Sequence, residues 1–139
     1  AVAAAKTMTA NNLGTYAVTS WQNSGTLNTT IPAFNAAGLT KTMSVSGSLS
    51  IEAVQLKVTI GHGCTGSIQL ELTSPGGTKS VLKNAFDSFG GEDHLINWVL
   101  LSNAFYGEDK AGTWTLRVID GYSCGAGYLA NWSLRFMGH

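Results

Sequence analysis

Tyr128-Leu-Ala-Asn-Trp-Ser-Leu-Arg-Phe136 is the stretch on which the fold class turns. Tyr128, Ala130, Trp132, Leu134 and Phe136 alternate with Leu129, Asn131, Ser133 and Arg135. A period of two is the signature of an extended strand with one face on a core and the other in water. The same period recurs upstream. Trp114, Leu116 and Val118 alternate with threonine, arginine and isoleucine, and Ile68, Leu70 and Leu72 alternate with Gln69, Glu71 and Thr73. Ser74-Pro75-Gly76-Gly77 then reads as a tight turn, because proline presets φ and glycine accepts positive φ. Lys79 to Lys83 is its return strand. Leu95-Ile-Asn-Trp-Val-Leu-Leu101 is apolar on both sides and reads as a central strand. Met43 and Val45 share one side of another.

Leu49, Ile51 and Ala53 alternate until the phase flips, after which Val54, Leu56, Val58 and Ile60 carry the apolar face. A parity flip inside one strand sends its halves to opposite faces unless an extra residue re-aims the chain, so a bulge is expected near Ala53–Val54. No window repeats apolar residues at helical spacing with caps, so helix is expected to be minimal. Roughly six to nine short strands at intervals of about 8–15 residues predict an all-β fold, an antiparallel β-sandwich of jelly-roll type.

Composition narrows the function classes. The chain has 139 residues, 44% hydrophobic and only 12% charged, with eight basic and eight acidic side chains. A nucleic-acid partner is not expected, since it calls for a basic face. A membrane partner is not expected either, because no apolar run approaches the ~18 residues of a spanning helix. Seventeen glycines and only two prolines, with abundant Ser, Thr and Asn, fit a turn-rich extracellular protein. Residues 1–27 are weakly patterned, with Tyr16, Val18 and Trp21 as their large anchors. They read as a linker ending in one docked strand, with the folded domain spanning residues 28–139. Nothing at the start has the basic and apolar regions of a signal peptide, so the chain reads as a piece of a larger exported protein. Cys64 and Cys124 each lie in a glycine-containing loop with no CxxC spacing. They read as one disulfide rather than a zinc site or a nucleophile.

Chemistry-bearing residues are few. His62-Gly-Cys-Thr-Gly66 is superficially similar to the histidine segment of subtilisin-like proteases, but that segment opens a helix and His62 ends an alternating strand. No G-x-S-x-G elbow is present, and Ser74 has no patterned base, so no catalytic residue is assigned. Glu92-Asp93, Glu108-Asp109, Asp87 and Asp120 are loop carboxylates. Calcium is the one cofactor they admit, without an EF-hand pattern, and none is required. Trp98, Trp114 and Trp132 read as core, and Trp21 as surface. Phe86 and Phe89, in the polar loop 84–94, are a candidate binding loop.

In order and spacing these segments resemble the P domain, or P/Homo B domain, that follows the catalytic domain of kexin- and furin-type subtilisin-like serine proteases. Val54 to His62 resembles the family's V-x-V-x-I-x-H strand. Ile68-Gln-Leu-Glu-Leu-Thr-Ser74-Pro75-Gly-Gly77-Thr78 resembles L-x-I-x-L-x-S-P-x-G-T. Trp98 with Gly107-Glu108 resembles its W…GE element, Gly112-Thr-Trp114 through Asp120 resembles G-x-W-x-L-x-V-x-D, and Gly127 through Trp132 to Leu134 resembles the closing G-x-L-x-x-W-x-L. The chain departs from the family at Ala33 and at Ser67, where aspartates are usual. The resemblance implies a β-sandwich of jelly-roll type. It implies a non-catalytic accessory domain of a secreted, bacterial subtilisin-like endopeptidase, whose partner is the catalytic domain of the same parent chain. That domain would support folding and stability and influence substrate access. The alternative is a module that binds protein substrate and attaches the protease to insoluble protein. His62, Ser74, Pro75, Gly77, Thr78, Trp98, Gly107, Glu108, Gly112, Trp114, Asp120 and Trp132 are then structural motif residues, with Glu108 and Asp120 accepting backbone hydrogen bonds at loop ends.

Overall fold

The computed structural model describes residues 15–62, 65–85, 94–121 and 127–139. Ten strands run through them in chain order: β1 (Ala17–Val18), β2 (Gln22–Asn23), β3 (Thr29–Ile31), β4 (Asn35–Val45), β5 (Ile51–Gly61), β6 (Ile68–Thr73), β7 (Lys79–Lys83), β8 (His94–Ser102), β9 (Gly112–Asp120) and β10 (Gly127–Gly138). A 3-10 turn at Thr65–Ser67 precedes β6. One sheet has the order β1-β10-β5-β8, with β2 and β3 also on β10, and the other has the order β4-β9-β6-β7. Every pairing is antiparallel. The two sheets enclose one core, the β-sandwich that the alternating strands predict.

The alternation decides which side chains fill that core. Leu56, Val58, Ile60, Trp132 and Leu134 face inward from the first sheet, and Leu70, Leu72, Trp114, Leu116 and Val118 from the second. Burial of a side chain of this size stabilises by about 1.5–3 kcal/mol. Trp114 meets Phe105 edge-on with ring centroids 5.0 Å apart and lies tilted against Phe136 at 5.2 Å.

The expected bulge is present. Met137 pairs with Ala53 and Gly138 with Ile51, so Glu52 is the extra residue and both Ile51 and Val54 reach the core. A second bulge was not legible. Leu129 pairs with Ile60 and Asn131 with Thr59, which leaves Ala130 as the extra residue. Leu129 is therefore buried, while Tyr128 is exposed and Ala130 only half-buried, correcting the phase read for the start of β10.

Two further expectations are corrected. β8 is an edge strand of its sheet, not a central one. Its apolar residues face both ways because its outer side stays bare: Ile96, Val99 and Leu101 are exposed. The stretch read as a linker docks as two short strands rather than one. Ala17 and Val18 pair with Gly138 and Met137, and Gln22 and Asn23 with Leu134 and Ser133. Thr19 and Ser24 add side-chain bonds to the amides of Phe136 and Trp132, both at 3.0 Å. Trp21 lies on the outer face of this sheet, with the Lys57 ammonium 4.3 Å and the Arg135 guanidinium 4.5 Å from its ring centroid.

Candidate functional site

The motif residues gather at the two ends of the sandwich. At one end, β5 delivers His62 and β9 delivers Asp120 from opposite sheets. His62 Nε2 lies 2.8 Å from Asp120 Oδ2, and Ser67, at the end of the 3-10 turn, donates its hydroxyl to Asp120 Oδ1 at 2.8 Å. All three are buried, Asp120 completely. The Gly121 amide donates to Ser67 carbonyl at 2.9 Å and closes the same corner. Gly127 lies against it, where a Cβ would run into Gly61 carbonyl and the His62 ring.

Serine, histidine and aspartate therefore meet within hydrogen-bond distance, but in the wrong order for acyl transfer. In a catalytic triad the imidazole stands between hydroxyl and carboxylate, so that it can take the hydroxyl proton. Here the carboxylate stands in the middle and accepts the serine hydrogen bond itself. The corner is a polar tie between two sheets, bonded because buried polar groups must be.

The other end is built on the turn after β6. Ser74 amide donates to Thr78 carbonyl at 2.9 Å, Gly77 amide to Ser74 carbonyl at 3.0 Å, and Thr78 amide to Ser74 Oγ at 3.2 Å. Gly77 sits at φ 92°, a region open to glycine. Ser74 Oγ donates to Glu108 Oε1 at 2.6 Å, fastening the turn to the loop that precedes β9. Gly107 (φ 83°) turns that loop, and its amide donates to Ile51 carbonyl at 2.8 Å. Gly112 (φ 128°) lies against Pro75, where a Cβ would come within 2.6 Å of the proline ring. Asp109 caps the same loop by accepting from Ala111 and Leu49 amides and Ser48 hydroxyl. These bonds hold its carboxyl below the usual range, the Ala111 amide most of all.

Of the motif residues, the structure brings His62 and Asp120 together at one end and Ser74, Pro75, Gly77, Thr78, Gly107, Glu108 and Gly112 at the other. Glu108 accepts from a serine hydroxyl rather than a backbone amide. For Asp120, Ser67 is the partner that was missed. Trp114 and Trp132 are fully buried, and Trp98 packs half-buried on the core. Cys64, Cys124, Phe86, Phe89, Asp87, Glu92 and Asp93 lie outside the described residues. Among the described residues no group of three or more His, Cys, Asp or Glu side chains is placed to hold a metal ion.

Comparison with known proteins agrees with this architecture. The model of the proprotein convertase P-domain matches residues 51–136, more than half of the chain. The extracellular serine protease of Aeromonas sobria is 36% identical over 91 residues, 57% of this chain and 15% of that protein. Human proprotein convertase subtilisin/kexin type 4 is 33% identical over 90 residues, 64% of this chain and 12% of its own. The crystal structure of the A. sobria serine protease in complex with a chaperone superposes with a TM-score of 0.87 at 26% identity, over 99% of this chain and 29% of that one. The chain thus spans less than a third of the length of these relatives.

Proposed function

The chain belongs to the proprotein convertase P-domain family, and from that premise we propose that it is the non-catalytic accessory domain of an extracellular subtilisin-like serine endopeptidase. In this reading it supports the folding and stability of the catalytic domain and influences substrate access. The relatives are serine proteases several times longer than this chain, two of them extracellular or microbial enzymes of Aeromonas. The observation that carries the reading is the Asp120 corner. The one grouping of serine, histidine and aspartate among the described residues is buried and consumed in joining two sheets. Chemistry is then supplied by the remainder of the parent chain, and this domain stabilises by burial against it.

The test compares the parent protease with and without this domain. Deletion is expected to abolish folding or shorten the half-life at elevated temperature, while kcat/KM on soluble substrate of any surviving enzyme is unchanged. Unchanged half-life with loss of activity confined to insoluble protein would make the domain a substrate-binding module instead.

We also propose that Cys64 and Cys124 form a disulfide. The His62–Asp120 bond and the Gly121–Ser67 bond bring the chain next to both cysteines to one corner. Closing a loop of about 60 residues stabilises by about 4 kcal/mol in the chain-entropy model. Alkylation of the unreduced, denatured protein followed by mass spectrometry tests it: no label is expected without reductant and two labels with it.

A further inference from the structure

The outward side of β8 carries apolar side chains that folding of this chain does not use. Val99 and Leu101 pair with Lys57 and Gln55 of β5, positions that face away from the core, and they are 45% and 53% exposed. Ile96, 66% exposed, continues the row beyond the bulge where Ile96 and Asn97 together oppose Thr59. Tyr128, standing over Gly61, lines the same shallow groove as Ile96 and Thr59. Gln55, Lys57 and Thr59 of β5 border this strip, and Asn97 stands within it between Ile96 and Val99. An apolar centre inside a polar rim is the anatomy of a protein interface.

The other broad faces differ. On the far sheet, Thr42, Thr115 and Thr73 stand in one cross-strand row, beside Thr40, Arg117 and Glu71 in the next. The β10 part of the near sheet is covered by the strap bearing Trp21, beneath which Ser133 is fully buried. Of the exposed large hydrophobic residues, only Val81, opposite Glu71, lies on a strand of the far sheet, whereas β8 carries three.

We infer that this strip is the surface on which the catalytic domain of the same parent chain docks, an inference that rests on the accessory-domain reading. Two observations select that occupant. In the A. sobria structure, 71% of the chain lies outside the matched part (100% less 29%), so a large body of related chain accompanies this domain. The polypeptide upstream of Tyr16 joins the sandwich at β1, in the sheet that holds β8 and three strand spacings from it, about 14 Å. Val18 pairs with Met137, two positions beyond the outward-facing Arg135, so it too lies on the outer face and is 51% exposed. A body tethered there meets the bare face of this sheet at high effective concentration.

The test labels cysteines in the full-length parent protease. Val99→Cys and Leu101→Cys are introduced singly, with Thr42→Cys on the polar sheet as control, and maleimide uptake is followed by peptide mass. The two β8 positions are expected to react roughly tenfold or more slowly than position 42, as buried sites do, at a rate independent of protein concentration. Equal reactivity would overturn the inference, and so would protection that vanishes on dilution, since a second copy would then be the cover. Hydroxyl-radical footprinting of the unmodified protease repeats the comparison without variants. Ile96, Val99 and Leu101 are expected to be modified less than Val81, which is 43% exposed on the other sheet, and equal modification would overturn the assignment. A bare strip in a protease that still loses half-life on deletion of the domain refutes the face but not the accessory role. A covered strip with no such loss refutes the accessory role alone.

Discussion

Asp120 has no exposed surface and satisfies two side chains at once, His62 and Ser67. Replacing it with alanine takes a buried acceptor from both, and removing one member of a buried polar pair costs about 3–5 kcal/mol. Asp120→Ala is expected to lower the urea midpoint by the equivalent of about 3 kcal/mol or more, and Asp120→Asn, which keeps an acceptor, by less. A shift below that of an exposed control would show that the corner is not a tie. Asp109 supplies a contrasting case on the surface. Its carboxyl is held below the usual range by the Ala111 amide first, then by Ser48 and Leu49. A carboxyl depressed in the folded state stabilises above its unfolded pKa, and that contribution is lost as pH falls through the lower folded value. Thermal unfolding from pH 6 down to about pH 2.5, a range that spans the ordinary aspartate value of about 3.9, is therefore expected to fall less steeply for Asp109→Asn than for the wild type. Equal slopes would show that the three bonds do not hold the ionised form in solution.

The strands teach where sequence patterns fail. The bulge at Glu52 was legible because Ile51 and Val54 are both large and apolar, so the parity break is visible in the residues themselves. The bulge at Ala130 was hidden because Tyr128 and Ala130 count as apolar while facing outward, and the alternation runs on undisturbed in the text. β8 was misplaced for the same reason, since an edge strand with a bare apolar side spells the same run as a central strand. The strap was expected to hold one strand, and its second was not legible because β1 and β2 are two residues each and hold on through backbone bonds and the hydroxyls of Thr19 and Ser24, which have no period. Its largest anchor, Trp21, stacks on Lys57 and Arg135. Trp21→Ala is expected to cost about 1–2 kcal/mol. Deleting residues 1–27 is expected to lower Tm by about 10 °C, near 3 kcal/mol for a domain of this size, and to leave the β10 edge beyond its pairing with β3 unpaired and prone to self-association. Unchanged Tm and a monodisperse elution profile after the deletion would return that segment to the status of a linker.

At the scale of the molecule, the motif residues form two polar ties separated by the length of the core. β9 runs from Gly112, packed on Pro75 beside the Ser74–Glu108 bond, to Asp120 at the opposite corner. Its nine residues place the two ties about 26 Å apart at the rise of an extended strand. No side chain is shared between them, and the intervening Trp114, Leu116 and Val118 are ordinary core. Sites this far apart add within about 0.5 kcal/mol when the domain unfolds as one unit. Glu108→Ala deprives the buried Ser74 hydroxyl of its acceptor, a loss of about 1–3 kcal/mol. Combined with Asp120→Ala, it is expected to give the sum of the two single losses with an unchanged urea m-value. If the double variant loses much less than the sum and its m-value falls, one end has opened before the other. The sandwich would then be two cooperative units rather than one. Additivity with an unchanged m-value would make the sandwich one cooperative unit, its two ends joined through the core that β9 spans.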